Sequence, residues 1–350
     1  MKRLFVAFAA FALAAGIASA QDMSAAVETF NMGAQTLESN KVEALAQFKS
    51  ALTQFEACAA DEAAEMIAQC KKIIPQTMVS IAKEQINESK YDEALETLKE
   101  ATACAEGYAQ EEIAAEAKEL VPTAYVRKGA ALMKAKDFVG AAAALKGAVT
   151  IDPTDGQNQL LYGQALMQAG DNDNAVAALE AAAANGKEDQ AKKLLSNLFL
   201  KEGMALVKAN KSAEAITALE KANELGEAQA SQLLSTTYLK QGQALLKGGK
   251  TAEAIEALEK SNSYVESANA YKLIASAYTK SGKSAQAIEA YKKYLEVDPN
   301  AKDAADVMFT IAATAQKAGD KATAIEYYKK LTSNSKYAAQ ATAQLGALQK

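Results

Sequence analysis

The sequence contains no histidine and no tryptophan. Without histidine it lacks the side chain that most often moves protons near neutral pH and most often ligates metals. Arginine is almost missing: Arg3 and Arg127 are the only two. Bidentate reading of guanine edges and tracking of a phosphate backbone therefore have little to work with, and no Lys/Arg block replaces them. Nucleic acid is excluded as a partner. Cysteine is limited to Cys58, Cys70 and Cys104, too scattered for a metal cluster. Neither a metal nor any other cofactor is expected, and no catalytic residue is marked. Proline occurs only at Pro75, Pro122, Pro153 and Pro299, so little interrupts a helix.

Half of the 350 residues are apolar, and alanine dominates. Alanine is the best helix former, and β-branched runs are few. The composition predicts an all-α protein with a large buried core. The formal net charge is −5.

The first residues read as a leader. Lys2 and Arg3 precede an apolar stretch from Leu4 to Ala15, then Gly16 and Ala18-Ser19-Ala20. A basic start, a short apolar core and an A-x-A end make a secretory signal peptide over 1–20. The apolar stretch is short for a membrane span, which needs about 20 residues. Cleavage would leave Gln21 first. The mature chain, 21–350, is expected in the periplasm or secreted, in a Gram-negative type of envelope, with no transmembrane span.

The remainder repeats. One copy reads Gly129, Ala141, Leu145, Ala148, Pro153; the next reads Gly163, Ala175, Leu179, Ala182. Gly203, Ala215, Leu219, Ala222 and Gly242, Ala254, Leu258, Ser261 follow. The first two positions stand twelve residues apart each time. Alanine replaces the glycine in Ala275, Ala287, Tyr291, Tyr294 and in Ala312, Ala324, Tyr328, Leu331. Ala82, Ala94, Leu98, Ala101 and Gly33, Ala44, Phe48, Ala51 are weaker early copies. The small residues let two antiparallel helices approach, and the leucine fills the space between them. Gly or Asn in the intervening turns suits a left-handed backbone. Ser212, Thr251 and Ser284 then stand where an N-cap is expected.

This spacing resembles the tetratricopeptide repeat, a helix–turn–helix unit of about 34 residues. The resemblance covers essentially all of 21–350. It implies a right-handed superhelical solenoid of about eight units with a C-terminal capping helix near 337–350. Second helices are placed near 41–57, 91–104, 137–150, 172–184, 211–224, 250–262, 284–297 and 321–333. The pattern departs from the family in having no tryptophan, and the key alanines lie 50, 47, 34, 40, 39, 33 and 37 residues apart. Longer first helices or extra turns would absorb the excess. The family's large residue near the start of the first helix matches Tyr125, Phe199, Tyr238 and Tyr271.

The resemblance also implies a concave groove that holds a protein or peptide. Its candidate residues are Leu160, Gln164, Leu200, Met204, Leu239 and Gln243, with lysines at the end of first helices: Lys134, Lys208, Lys247, Lys280 and Lys317. A ladder of lysines attracts an acidic segment; equally, a lysine in a last turn complements the helix dipole with no partner at all. The family's terminal-carboxylate clamp matches poorly, at Lys272 and Ser276 only. The late tyrosines fall mostly at packing positions. Gly249-Lys250-Thr251 and Gly282-Lys283-Ser284 mimic the end of a phosphate loop, but Ala244 and Ala277 stand where its first glycine is required. If one disulfide forms, Cys70 and Cys104 are placed for it in a helix hairpin turning near Ser89-Lys90.

These readings point to a non-enzymatic interaction scaffold in the cell envelope of unknown oligomeric state. The alternatives are a glycan-binding module, which needs exposed aromatics, and a cell-wall glycan hydrolase, which needs two facing carboxylates.

Overall fold

The computed structural model describes residues 17–58 and 63–349, with side chains from Asp22 onward. Most of the signal-peptide segment, 1–20, lies outside the described residues. Among those described there is no strand. Among them, too, no helix is long and apolar enough to cross a membrane.

Helices follow one another in adjacent antiparallel pairs, in two compact units. Unit one ends at Ala191. It holds α1 (Ile17–Thr36) with α2 (Lys41–Ala57), α3 (Ala63–Asn87) with α4 (Tyr91–Gly107), α5 (Glu111–Lys134) with α6 (Phe138–Ile151), and α7 (Gly156–Ala169) with α8 (Asn172–Ala182). Unit two begins at Lys192. It holds α9 (Glu188–Lys208, whose first residues lie before that boundary) with α10 (Ser212–Glu224), then α11 (Ala228–Lys247) with α12 (Thr251–Tyr264). The pairs α13 (Ala268–Lys280) with α14 (Ser284–Val297) and α15 (Ala304–Lys317) with α16 (Lys321–Leu331) follow, and α17 (Ala338–Leu348) packs last against α16.

The unequal repeat spacing has a simple source. The first helices α3 and α5 run 25 and 24 residues, whereas α7 and α13 run 14 and 13. First helices thus vary by about three turns, while second helices stay between 11 and 17 residues.

The glycine–leucine pairing is what lets paired helices touch. A Cβ added to Gly129, Gly163, Gly203 or Gly242 would stand 2.6–2.7 Å from the side chain of Leu145, Leu179, Leu219 or Leu258. Those four leucines are at most 2 % exposed. Each leucine therefore uses the space a side chain would have taken, at the packing density of a protein interior. In unit one the core runs on through Phe48, Phe55, Ile74 and Leu98. In unit two it runs through Leu258, Ile274, Ile311 and Tyr328.

The turns within pairs reuse one backbone solution, a single residue with positive φ just past the first helix. It is Gly170, Gly249, Gly282 or Gly319 in four pairs, and Ser89, Lys136 or Asn210 in three others. Gly186 and Gly226 do the same after α8 and α10. The capping expectation needs correction: Ser212, Thr251 and Ser284 are the first residues inside their helices, and Lys211, Lys250 and Lys283 occupy the cap position without a side-chain cap bond. Lysine cannot accept a hydrogen bond. Lys211 and Lys250 instead reach Glu214 and Glu253 at 3.2 and 3.1 Å. Where the same position is aspartate it caps: Asp137 accepts from the Gly140 N–H at 2.9 Å and Asp320 from the Thr323 N–H at 3.0 Å.

Between α13 and α15, Asp303 accepts from the Lys272 ammonium and from the Tyr294 hydroxyl. The Lys272 bond first, and then the tyrosine, hold its carboxyl below the ordinary range. A depressed folded value means stability that is complete above the unfolded value of about 3.9 and is lost as pH falls through the folded one. Asp303→Asn is expected to melt lower than the parent at neutral pH, with the difference shrinking below about pH 4. Circular dichroism melts at both pH values check this; a difference independent of pH would mean that the carboxylate charge has no part in it.

Candidate functional site

The five ladder lysines share one local position. Lys134, Lys208, Lys247, Lys280 and Lys317 are the final residues of α5, α9, α11, α13 and α15. All five are exposed. None makes an ion pair among the described residues. Four of them belong to unit two, one on every first helix there, and Lys134 to unit one. A cation in the last turn complements the helix dipole, so the dipole explanation and a partner-binding one both start from the same position.

The apolar and amide candidates divide by burial. Leu160 and Leu200 are buried, at 4 % and 8 % exposure, which leaves a partner almost nothing to touch. Gln164, Met204, Leu239 and Gln243 are half-buried and keep accessible surface. Lys272 is committed within the chain: it pairs with Asp303 and lies 5.6 Å over the Tyr294 ring. The match to a carboxylate clamp is thus weaker than the residue types alone imply. The two Gly-Lys-Ser/Thr segments sit in turns between paired helices.

The three cysteines are free thiols, and no bond joins Cys70 to Cys104. Cys70 is fully buried on α3, and burial, with the nearby Glu56 carboxylate, pushes its thiol up to about 11. Burial also raises Cys104, against the Lys49 ammonium and then the Tyr108 hydroxyl. Thiolate is the reactive form. With a thiol-specific aromatic disulfide reagent at neutral pH, Cys70 is expected to react last in the folded chain, and three thiols per chain are expected after denaturation without reductant. Finding one thiol instead would establish a bridge.

Sequence reasoning did not anticipate what the tyrosines do. Tyr238, Tyr294, Tyr327 and Tyr328 are buried, but Tyr264, Tyr271, Tyr278, Tyr291 and Tyr337 are only half-buried. Six of these rings pack while their hydroxyls donate to carboxylates, and the Tyr328 hydroxyl donates to the Gln316 amide oxygen. Tyr238 and Tyr264, stacked with centroids 6.0 Å apart, both donate to Glu220, at 3.0 and 3.2 Å. Tyr271 donates to Glu266 at 3.1 Å, Tyr278 to Glu259 at 3.4 Å and Tyr337 to Asp306 at 3.0 Å. The signal was available: glutamate recurs one residue beyond Leu219 and Leu258, at Glu220 and Glu259.

Two hollows open in unit two. One, of about 300 Å³, lies between α9 and α10 and is lined by Phe199, Glu202, Leu206, Glu214 and Lys221 among others. The other, of about 410 Å³, lies among α12, α13 and α14, with Glu259, Tyr271, Tyr278, Glu289 and Lys293 on its walls. Among the described residues, no cluster of three or more His, Cys, Asp or Glu side chains is placed to hold a metal ion.

Tetratricopeptide repeat models match residues 80–156, 132–198, 200–261, 268–301 and 306–335. No curated protein sequence matches the chain. Among solved structures, the MamA protein is 26% identical, with 51% of this chain and 92% of that one covered and a TM-score of 0.24. The P58(IPK) TPR domain is 16% identical, with 93% and 97% covered and a TM-score of 0.30. A TPR2AB-domain complex of yeast Sti1 is 19% identical, with 65% and 98% covered and a TM-score of 0.28. Paired helices, the glycine–leucine contacts and models that together match well over half of the sequence lead to one conclusion: this chain belongs to the tetratricopeptide repeat family.

Proposed function

We propose that this chain is a non-enzymatic interaction scaffold of the cell envelope, exported by the leader at 1–20, that holds an acidic protein segment along the first-helix face of unit two. The observation that carries this is the row of terminal lysines. All four first helices of that unit end on an exposed lysine with no carboxylate partner among the described residues. Seven other lysines of the unit, Lys211, Lys250, Lys272, Lys292, Lys293, Lys330 and Lys336, pair with carboxylates, whereas Lys201, Lys240 and Lys302 do not among the described residues; what sets the terminal four apart is their shared place on successive first helices. Positive charge left uncompensated on one edge of successive helices favours a complementary, negatively charged segment, mainly by steering it. Half-buried Met204, Leu239 and Gln243 on α9 and α11 supply apolar and amide contacts beside it. Repeat arrays serve this purpose through extended surface rather than chemistry.

A fluorescent glutamate-rich peptide tests the reading against its glutamine counterpart. The glutamate peptide is expected to bind at low ionic strength and to release as salt shortens the reach of charge to about 10 Å and below. Equal binding of both peptides would remove the lysines from the account. The export part is checked separately: the mass of the protein recovered from an envelope fraction is expected to correspond to a chain starting at Gln21.

A further inference from the structure

We infer that the hollow among α12, α13 and α14 is a receptor for a lysine side chain presented by a partner polypeptide. The argument comes from three copies of one arrangement. Phe199, Tyr238 and Tyr271 hold the same place in α9, α11 and α13, and Lys221, Lys260 and Lys293 stand twenty-two residues after them in α10, α12 and α14. In the first copy the Lys221 ammonium lies 4.9 Å over the Phe199 ring. In the second, Lys260 lies 5.9 Å over Tyr238. The chain thus covers this ring with its own cation twice, which identifies the chemistry the position accepts: an alkylammonium over an aromatic face.

The third copy differs. Lys293 is drawn to Glu296, at 2.7 Å, and among the described residues no lysine lies over the Tyr271 ring. Tyr278 already faces Lys283 at 5.9 Å, so Tyr271 is the open ring. Around it the carboxylates are Glu259, Glu266, Glu289 and Glu296, of which Glu289 is held by Lys292 at 2.9 Å. Glu259 and Glu266 have no lysine partner among the described residues. Burial first, then these carboxylates, raise the hydroxyl pKa of both Tyr271 and Tyr278, with Lys293 on the same wall opposing the shift at Tyr271. Four carboxylates stand against the two ammonium groups of Lys292 and Lys293, each already paired, so the site is negative as well as aromatic. At about 410 Å³ it is wider than its sister hollow of about 300 Å³, with room for a side chain and the backbone that bears it.

The test uses the full chain with isotope-labelled tyrosine rings, observed by NMR. The probes are a five-residue alanine peptide with a central lysine, the same peptide with Nε-acetyl-lysine, and n-butylamine. The lysine peptide is expected to shift the Tyr271 and Tyr278 ring signals, assigned with Tyr271→Phe and Tyr278→Phe. The acetylated peptide is expected to shift neither. Tyr271→Leu should weaken binding by about fivefold or more, while Tyr271→Phe, which keeps the ring, retains it. Glu259→Gln should weaken it further in low salt. The double variant Lys208→Glu, Lys247→Glu, at positions on α9 and α11 outside the lining of the hollow, should bind the lysine peptide unchanged. Equal shifts from the acetylated peptide would overturn the inference, as would n-butylamine binding as tightly as the peptide. No shift at about 10 mM peptide, where a millimolar site is nearly full, would overturn it too.

Discussion

Leu219→Ala is expected to destabilise unit two by about 3 kcal/mol, the middle of the range for emptying a fully buried leucine site. Leu219 is 0 % exposed and fills the space in front of Gly203. Gly203 has no side chain to move into the cavity, and the facing helix backbones are already in contact, so the site relaxes little. In a repeat array each pair contacts only its neighbours, so the loss is local in origin. It should appear first as faster amide hydrogen exchange in α9 and α10 and as an earlier urea transition. With no tryptophan in the chain, far-ultraviolet circular dichroism is the practical readout. Val297→Ala, at an exposed position, should change stability by less than about 0.5 kcal/mol and serves as the comparison. The reverse swap should also fail. Gly203→Ala gains about 1 kcal/mol of helix propensity, but its Cβ would stand 2.6 Å from the leucine, and overpacking costs about 1–3 kcal/mol. A Leu219→Ala protein within 1 kcal/mol or so of its parent would refute close glycine–leucine packing as the organising contact.

The triple charge reversal Lys208→Glu, Lys247→Glu, Lys280→Glu is expected to weaken binding of the glutamate-rich peptide about thirtyfold or more at low ionic strength, near 2 kcal/mol. Each substitution turns an attraction into a repulsion on a surface that no neighbouring carboxylate compensates. The loss should shrink as salt rises, because exposed charges are screened beyond about 10 Å in 0.1 M salt. The matching Lys→Gln triple should fall between parent and reversal. Helix-end stabilisation and partner binding are separable in this set. If the lysines serve only the helix dipole, melting temperatures fall through the series while peptide binding stays level.

How much of this was legible in the residues varies with the kind of interaction. Gly129 with Leu145 and Gly203 with Leu219 could be paired from spacing, because a fixed offset within one hairpin fixes who faces whom. Ser212 could not be ranked against Lys211 as the cap, because a shift of one residue decides it and depends on where the left-handed residue, Asn210, falls. Leu160 and Leu200 could be assigned to a face by family position, but their burial depends on how closely neighbouring elements approach. The tyrosine–carboxylate bonds link residues up to 44 apart, as Tyr264 to Glu220: the recurrence of Glu220 and Glu259 marks the acceptors, but not which tyrosine reaches them.

The alanine-rich composition, the scarcity of proline and the twelve-residue offset by themselves determined an all-helical chain of paired helices with small residues at the contacts, since these follow from local geometry and repeat along the chain. Only the tertiary structure decided which cations are already spent. Lys272 is held by Asp303, Lys293 by Glu296 and Lys221 by an aromatic ring, whereas Lys208, Lys247 and Lys280 have no carboxylate partner among the described residues. Long, flexible side chains choose partners across helices that folding brings together, and that choice is a property of three-dimensional proximity rather than of sequence order.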